Sequence, residues 1–442
     1  MNMRSNKLLS FLGITSFGES HGPALGIVIE DVKPNIDFPY QDIERILFQR
    51  KPNLNEFSST RNEKDKYQVI SGVFKGKTTG MPICILFWNK DAKPEDYEYL
   101  KDVFRPGHAD YSWYNKFKIY DYRGGGRASG RETIARVAAS AFVDEYIKPV
   151  TIQFQTLQIG TFFSKKKKDY YSISASNPFC WSEQTDELYI YLNKVKEQND
   201  TVGGIVKVRI DNVPVGLGDP VFEKLNANLA KAIMSIGTVK GISFGDGFEI
   251  AALKGSQAND QMDEHGFLSN HSGGISGGIS TGQPIIITIA IKPVSSHGKV
   301  QKTISKNGQP AEITVSGRHD VCHIPRLLPV IEAMIKLTLA DAIFWQNQIS
   351  GNKTDLTDYR EAIDKLDEDL LLLLYRRKAI VKLVKEFKKD NKVEFRDAER
   401  EAEILTKWNE ICKELDIDTA KAKELLKIVL ELSRDDNPVD TL

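Results

Sequence analysis

The chain carries 32 glycines in 442 residues, yet from Asp355 to Leu442 it has none, and of its 17 prolines only Pro438 falls there. Glycine and proline punctuate turns, so a long stretch without them that is rich in Leu, Glu, Lys and Arg reads as helix. The chain therefore changes material at Ser350-Gly351-Asn352-Lys353. Before that point it has short β-branched runs bounded by Gly or Pro, such as Val202–Ile210 and Pro284–Ile291. These read as strands, buried on both faces where the apolar residues are continuous. Helical segments alternate with them, notably Arg131–Ile147 and Leu327–Phe344. The first part reads as α/β or α+β in class, and the expected layout is a domain over 1–350, a linker over 351–356 and an all-α domain over 357–442.

Within that last part, Ile363, Leu366, Leu370, Leu373, Leu374, Ile380, Val381, Val384 and Phe387 recur at steps of three and four, one apolar stripe on a long helix. A second helix is expected near Asp397 and a third over Thr419 to about Ser433. Sixty basic against sixty acidic residues leave no net charge, which removes bulk attraction to nucleic acid or an anionic membrane. No apolar run reaches the roughly 18 residues of a membrane span. The start is too polar for a secretory signal. Four scattered cysteines, Cys84, Cys180, Cys322 and Cys412, fit a reduced cytoplasmic compartment and neither a disulfide framework nor a structural zinc site. The four-lysine run Lys165–Lys168 reads as a solvated loop.

Five short segments concentrate glycine with polar residues. They are Gly18-Glu19-Ser20-His21-Gly22, Arg105-Pro106-Gly107-His108-Ala109-Asp110-Tyr111, Asp121 to Arg131 (DYRGGGRASGR), His271 to Gly282 (HSGGISGGISTG) and Lys292 to Ser296. Glycines let backbone N–H groups approach a ligand, and arginines beside them suit bidentate grip on phosphate or carboxylate. Neither a P-loop nor a G-x-G-x-x-G spacing is present, since Ser129 stands where the third glycine would be. Each cluster alone is a turn as readily as a site. Together with two histidines in polar turns, they point to a multiply anionic ligand and a proton-transfer group.

FGESHGPALG, FRPGHADY, DYRGGGRASGRET, GSQ-x-x-D, SNHSGGISGGISTGQP, KPVSS and GRHD occur in the order seen in chorismate synthases, and the resemblance covers residues 7 to 350. It implies a β-α-β sandwich, a homotetramer, reduced FMN, and 5-enolpyruvylshikimate 3-phosphate as the substrate of a 1,4-elimination of phosphate that gives chorismate. In the family the flavin lends electron density and recovers it, with no net redox change. His21 and His108 match the two family histidines. His108 is implied to keep the flavin in its reactive charge state, and protonated His21 to assist phosphate departure. Asp341 matches an aspartate implied to move the proton near the flavin. FMN contacts carry over to Arg127, Ala128, Ser129, Gly237, Thr238, Gly277, Lys292, Pro293, Val294, Ser295, Ser296 and Arg318. Arg50 matches an arginine assigned to NADP or reductant binding. Glu56 stands where many members have a second basic residue, which weakens the case for NADPH as the reductant and leaves a separate protein or cofactor as the alternative.

In the helical part, Arg377 and Lys388 are eleven residues apart, about 20° beyond three turns, and so share a face. Arg360 precedes Arg377 by seventeen residues, roughly 25 Å on a straight helix, too far for both to clamp one small ligand. That spacing, and a stripe longer than so small a unit can cover, favour an intertwined dimer. Asp397, Arg400 and Glu401 share one face, as do Ser433 and Asn437. The pattern R-x16-R-x10-K-x8-D-x2-R-E-x31-S is similar to the all-helical (AroQ-type) chorismate mutases. The resemblance implies that Arg360, Arg377, Lys388, Asp397, Arg400, Glu401, Ser433 and Asn437 bind chorismate for its Claisen rearrangement to prephenate, without a cofactor. Lys388 and the Asn437 amide would face the ether oxygen, with Glu401 on the substrate hydroxyl or assisting that oxygen. Asn437 stands where glutamine is usual, one methylene shorter. The expected protein is thus a bifunctional enzyme with dimeric mutase units on a tetrameric synthase. The alternatives are a non-catalytic helical dimerisation or sensing domain, and a net redox flavoenzyme in the first part.

Overall fold

A computed structural model of the chain describes residues 7–8, 12–51, 55–58, 65–89, 94–166, 169–182, 186–315, 319–349, 356–391, 398–414 and 417–434. The chain divides into two compact units, Met1–Ile349 and Ser350–Leu442.

The first unit has two five-stranded antiparallel sheets. One is built of β1 (Lys7–Leu8), β2 (Ile14–Gly18), β3 (Ala24–Ile29), β4 (Tyr67–Ser71) and β5 (Ile83–Trp88), in the order β1-β2-β3-β5-β4. The other is built of β6 (Thr151–Ile159), β7 (Phe162–Phe163), β8 (Gly204–Asp211), β9 (Val239–Phe244) and β10 (Ile285–Ile291), in the order β9-β10-β8-β6-β7. The helices are α1 (Tyr40–Arg50), α2 (Asp110–Phe117), α3 (Thr133–Ser140), α4 (Asp186–Glu197), α5 (Leu225–Met234) and α6 (Ile324–Ile349). Helix α3 packs on β2, β3, α1 and α6, α6 packs on α5, and α5 packs on β9. Sheet, helices, sheet is the layering, and one continuous apolar core runs through all three.

Register explains that core. Strand pairing sets Leu25 opposite Phe87, Ile27 opposite Ile85 and Ile29 opposite Ile83, all fully buried. In the second sheet Val206, Val208 and Ile210 face Ile289, Ile287 and Ile285, again fully buried. The residues between them are only half-buried, so burial alternates along β8 and β10. The continuous apolar runs had suggested burial on both faces; an antiparallel sheet with helices on one side needs only one. The middle layer does meet the all-round criterion. Of the eight residues of α3 only Arg136 is not buried, and α6 is buried on nearly every side from Ile324 to Ala340.

The helix expected over residues 131–147 is α-helical only to Ser140. Beyond it Phe142, Val143 and Tyr146 donate to carbonyls three residues back, the tighter 3₁₀ pattern.

The second unit is helical: α7 (Leu356–Asp390), α8 (Ala398–Glu414) and α9 (Thr419–Arg434). Its described buried apolar residues are Cys412, Ala422, Leu426 and Val429, while the α7 stripe residues Ile363, Leu370, Leu373, Ile380, Val384 and Phe387 are all exposed. Leu366 lies in α7, but its side chain is outside the described residues.

Leu337 is fully buried in α6. Leu337→Ala is expected to destabilise the first unit by about 2–5 kcal/mol, read as a lowered urea midpoint at unchanged slope.

Candidate functional site

Three of the glycine-polar segments meet at one place. The turn after Tyr122 carries Gly124, Gly125 and Gly126, all with positive φ, at 60°, 93° and 52°. A side chain at Gly124 would collide with the His21 imidazole, and one at Gly126 would come within 2.5 Å of Glu19 Oε2. The turn therefore lies directly on the Gly18–Gly22 segment. Arg127 reaches back from it to donate to Ser16 Oγ at 2.7 Å, Ser16 O at 3.2 Å and Gly18 O at 3.3 Å. Ser129 Oγ accepts from Arg131 N at 3.3 Å, capping the next turn. His21 is half-buried, with Nδ1 3.1 Å from Ser20 Oγ and its ring edge-on to Tyr97.

The His108 turn is fixed separately. Arg105 and Asp110, each 4% exposed, form a bidentate pair at 2.7 and 2.8 Å. The Gly107 carbonyl, opened by φ 72°, accepts both Lys292 Nζ at 2.7 Å and Ser295 Oγ at 2.8 Å. His108 Nε2 then lies 3.1 Å from Ser296 Oγ. Burial, with Arg105, Lys292 and His319 adding to it against Asp110, pushes the His108 imidazole down to about 4, so it is neutral at pH 7. Burial also lowers the Lys292 ammonium. The same cause raises the Glu19 carboxyl, against the pull of Arg127.

A cavity of about 310 Å³ opens where the two turns meet. Glu19, Asp121 and Gly125 to Ala128 line one side; Ala109, Asp110, Trp113, Phe117, Ile119 and Tyr120 line the other. A Cβ at Gly237 would sit 3.9 Å from the Ala128 carbonyl, and Thr238 O accepts Lys292 N at 2.9 Å. His21, His108, Arg127, Ala128, Ser129, Gly237, Thr238 and Lys292 to Ser296 are thus linked around one region.

Other expected residues stand differently. Arg50 is 2% exposed, donating to Thr133 Oγ1 at 3.1 Å and Gly130 O at 2.9 Å, with Asp65 4.0 Å away. It braces the Gly130–Thr133 turn from below. The motif arginines are largely ion-paired: Arg105 with Asp110, Arg123 with Asp121 and Arg131 with Asp65. Asp341 Oδ1 accepts Leu12 N at 3.3 Å, tying α6 to the N-terminal strand region. Gly277 has φ 62° and nothing within 4 Å of where a Cβ would be. The turn before it is held by Asp260, which accepts from His271 N, Ser272 N and Ser269 Oγ. Burial alone would raise Asp260, but these hydrogen bonds win and take it down to about 2. Arg318, Asp397 and Asn437 lie outside the described residues, as do the side chains of Arg400, Glu401 and Ser433.

In the second unit Arg360, Arg377 and Lys388 all lie on the uninterrupted helix α7. Arg360 is exposed; Arg377 and Lys388 are half-buried, and Arg377 donates to Val429 O on α9 at 3.3 Å.

Glu19 and Asp65 were not foreseen as site residues. Glu19 had a signal, since it shares a turn with His21, whereas Asp65 falls in an ordinary charged run. His323 was also missed. It is 6% exposed at the start of α6, with both ring nitrogens lacking a hydrogen-bond partner, and burial pushes it down to about 4.

Gly124→Ala is expected to displace His21 and abolish turnover while the apolar core still melts cooperatively. Measuring both on one preparation checks this.

His108 and His323 fold as neutral groups, whereas an unfolded histidine protonates near 6.5. Between about pH 6.5 and 4 the unfolded chain therefore holds the extra protons. Their stabilisation is complete above 6.5 and is lost as pH falls through that window. His323→Leu is expected to give a shallower fall of the urea midpoint between pH 7 and 4.5; an unchanged slope would exclude His323 as a contributor.

Comparison with known proteins follows the same two-unit division. The chorismate synthase family model matches residues 12–344 and the chorismate mutase type II model matches residues 359–436. A chorismate synthase of Syntrophus aciditrophicus (strain SB) is 42% identical over 353 residues, covering 79% of this chain and 100% of that protein. One from Desulfosudis oleivorans (strain DSM 6200 / JCM 39069 / Hxd3) is 42% identical over 358 residues, with the same coverage. A solved structure described as "Crystal Structure of Chorismate Synthase" aligns with a TM-score of 0.57 at 29% identity, covering 76% of this chain and 92% of that one.

Proposed function

Since the chain belongs to the chorismate synthase family and carries a chorismate mutase type II domain behind it, we propose that the region between the His21 and His108 turns holds reduced FMN and 5-enolpyruvylshikimate 3-phosphate. The enzyme is bifunctional: a lyase that forms chorismate and an isomerase that converts it to prephenate. The observation that carries the site assignment is the meeting of the two histidine turns and the glycine-rich turn at one cavity.

Residues that the family pattern assigns to FMN suit a flavin. Thr238 Oγ1 is buried with no hydrogen-bond partner, Gly277 leaves its surroundings open, and Lys292 and Ser296 offer donors. Arg127, Ala128, Ser129, Gly237, Thr238, Gly277 and Lys292 to Ser296 would hold the FMN, with Arg318 joining them by the family pattern. Bound reduced flavin supplies electron density to the substrate as phosphate leaves and regains it as the proton is removed. Neutral His108, fixed on Ser296, keeps a single proton on its imidazole and so can stabilise one charge state beside it. His21 would give its proton to the departing phosphate, with the Asp121 carboxylate in electrostatic reach of it. Arg50 acts as a brace for the Gly130–Thr133 turn. Asp341 is retained as the proton-handling aspartate.

In the second unit Arg377 and Lys388 bind the carboxylates and ether oxygen of chorismate, with Arg400, Glu401, Asp397, Ser433 and Asn437 completing the site. Catalysis there needs only the folded conformer of chorismate and positive charge at the breaking ether bond. Arg360 reaches the same substrate from a second copy. The exposed apolar stripe of α7 supports this pairing, since a lone unit leaves Leu370, Leu373 and Phe387 in water. Dimeric mutase units are compatible with a tetrameric synthase of two-fold symmetry.

Purified enzyme given the enolpyruvyl substrate and dithionite-reduced FMN is expected to release one phosphate per substrate, with chorismate rising first and prephenate following. Net FMN oxidation matching turnover would overturn the synthase reading. His21→Ala should slow phosphate release by about 10²–10⁴-fold with FMN binding retained. Lys388→Ala should leave phosphate release intact while prephenate formation falls by about 10²–10³-fold, read as chorismate accumulation.

A further inference from the structure

The connection between Ser296 and His319 contains a hairpin, β11 (Gln301–Ile304) and β12 (Pro310–Ile313), that the mechanism above does not use. It is docked edge-on against residues 102–104, immediately before the His108 turn. Phe104 N donates to Ile304 O at 3.2 Å, Lys306 N donates to Asp102 O at 2.8 Å, and the Thr303 hydroxyl donates to Phe104 O. Val103 and Ser305 complete the bridge. Behind it, Ile313 and Val315 form a small separate core with Leu100, against which Tyr97 and Val103 pack.

At the hairpin turn the Lys306 ammonium faces three aromatic rings at once: Tyr120 at 5.3 Å, Tyr114 at 5.7 Å and Tyr122 at 6.0 Å from the ring centroids. These rings come from different places. Tyr114 is on α2, the helix whose Trp113 and Phe117 line the cavity. Tyr120 lines the cavity itself, with its hydroxyl buried and unpartnered. Tyr122 leads into the Gly124 turn that seats His21. One cation therefore bridges α2 and the segment that leads into the glycine-rich turn. Ring faces are electron-rich, so a cation held against several of them draws them together.

We infer that Lys306 is a positioning residue for the substrate cavity, its cation clamping the Tyr114–Tyr120–Tyr122 wall against the hairpin. This rests on the assignment of that cavity to the anionic substrate. The hairpin backbone anchors the His108 turn independently of this side chain. Losing the cation therefore loosens the wall and weakens substrate binding more than it slows the bond-breaking step.

The test compares Lys306→Met and Lys306→Arg with the parent. Steady-state phosphate release is measured with reduced FMN, and substrate binding to the flavin-free protein is measured by tryptophan fluorescence, which Trp113 reports from the cavity. Lys306→Met is expected to raise KM and the fluorescence Kd about tenfold with kcat within about twofold, and Lys306→Arg to restore both to within about twofold. Unchanged KM and Kd, a fall in kcat alone, or a rise that arginine does not repair would overturn the inference. If Lys306→Met does not fold, Tyr122→Leu removes one ring and is expected to raise KM about two- to threefold; no rise there is equally fatal. Absence of phosphate release by the parent enzyme would instead sink the cavity assignment, so the two failures are distinguishable.

Discussion

The close seating of the Gly124–Gly126 turn on His21 and Glu19 is the contact on which the synthase site depends. Three successive residues with positive φ bring backbone to within van der Waals range of an imidazole and a carboxylate. Any L side chain at Gly124 or Gly126 would push the two segments apart. The turn is also braced from below: buried Arg50 donates to the Gly130 carbonyl and the Thr133 hydroxyl, and Asp65 pairs with Arg131. Removing one partner of such a buried cluster leaves charge without compensation, which is costlier than never having had the pair. The cluster therefore fixes geometry more than it adds stability, and that geometry sets how far His21 stands from the cavity.

Electrostatics around the cavity differ from what a count of arginines suggests. Arg105, Arg123 and Arg131 are each matched to an aspartate within the chain, so they shape turns and contribute little field to a ligand. Lys292 is different. Its ammonium donates to the Gly107 carbonyl and the Ser295 hydroxyl, both neutral acceptors, and burial works against its charge. A desolvated cation held by neutral dipoles gains most from an arriving anion. On the proposed reading that concentrates anion recognition on the 292–296 loop, whose Ser296 contacts His108. In a chain with no net charge, selective binding of a phosphorylated bis-acid must arise from such local placement.

Much of this could be read from residue order, and the failures have physical causes. The loss of glycine after residue 351 marked the division between the two units, and the step of three and four in α7 marked its helix. The glycine-histidine segments converge because turns rich in glycine are where a backbone can approach a side chain. The orientation of Arg50 was not legible, because a motif position states which residue is present, not which way it faces; its guanidinium donates to Gly130 O and Thr133 Oγ1. The alternation in β10 was hidden because its half-buried face carries Ile286, Thr288 and Ala290, whereas in β8 Lys207 and Arg209 between Val206, Val208 and Ile210 already mark it. Lys306 and its three rings left no local trace. Tyr114, Tyr120 and Tyr122 lie about two hundred residues from it, and a cation–π contact at that separation has no periodicity to detect.

The geometry of α7 also bears on why two activities share one chain. An uninterrupted 35-residue helix fixes Arg360 and Arg377 roughly 25 Å apart along its axis. No bending within the range of ordinary helices closes that gap onto a ligand the size of chorismate. On the proposed reading, the isomerase site is therefore completed only when two copies pair along the exposed apolar stripe. An oligomeric synthase raises the local concentration of those partners by tethering them, much as a linker turns a bimolecular encounter into an intramolecular one. The isomerase domain then need not associate tightly by itself, which fits a unit whose described core is four small or medium side chains. On that reading, association and substrate supply draw on the same covalent link.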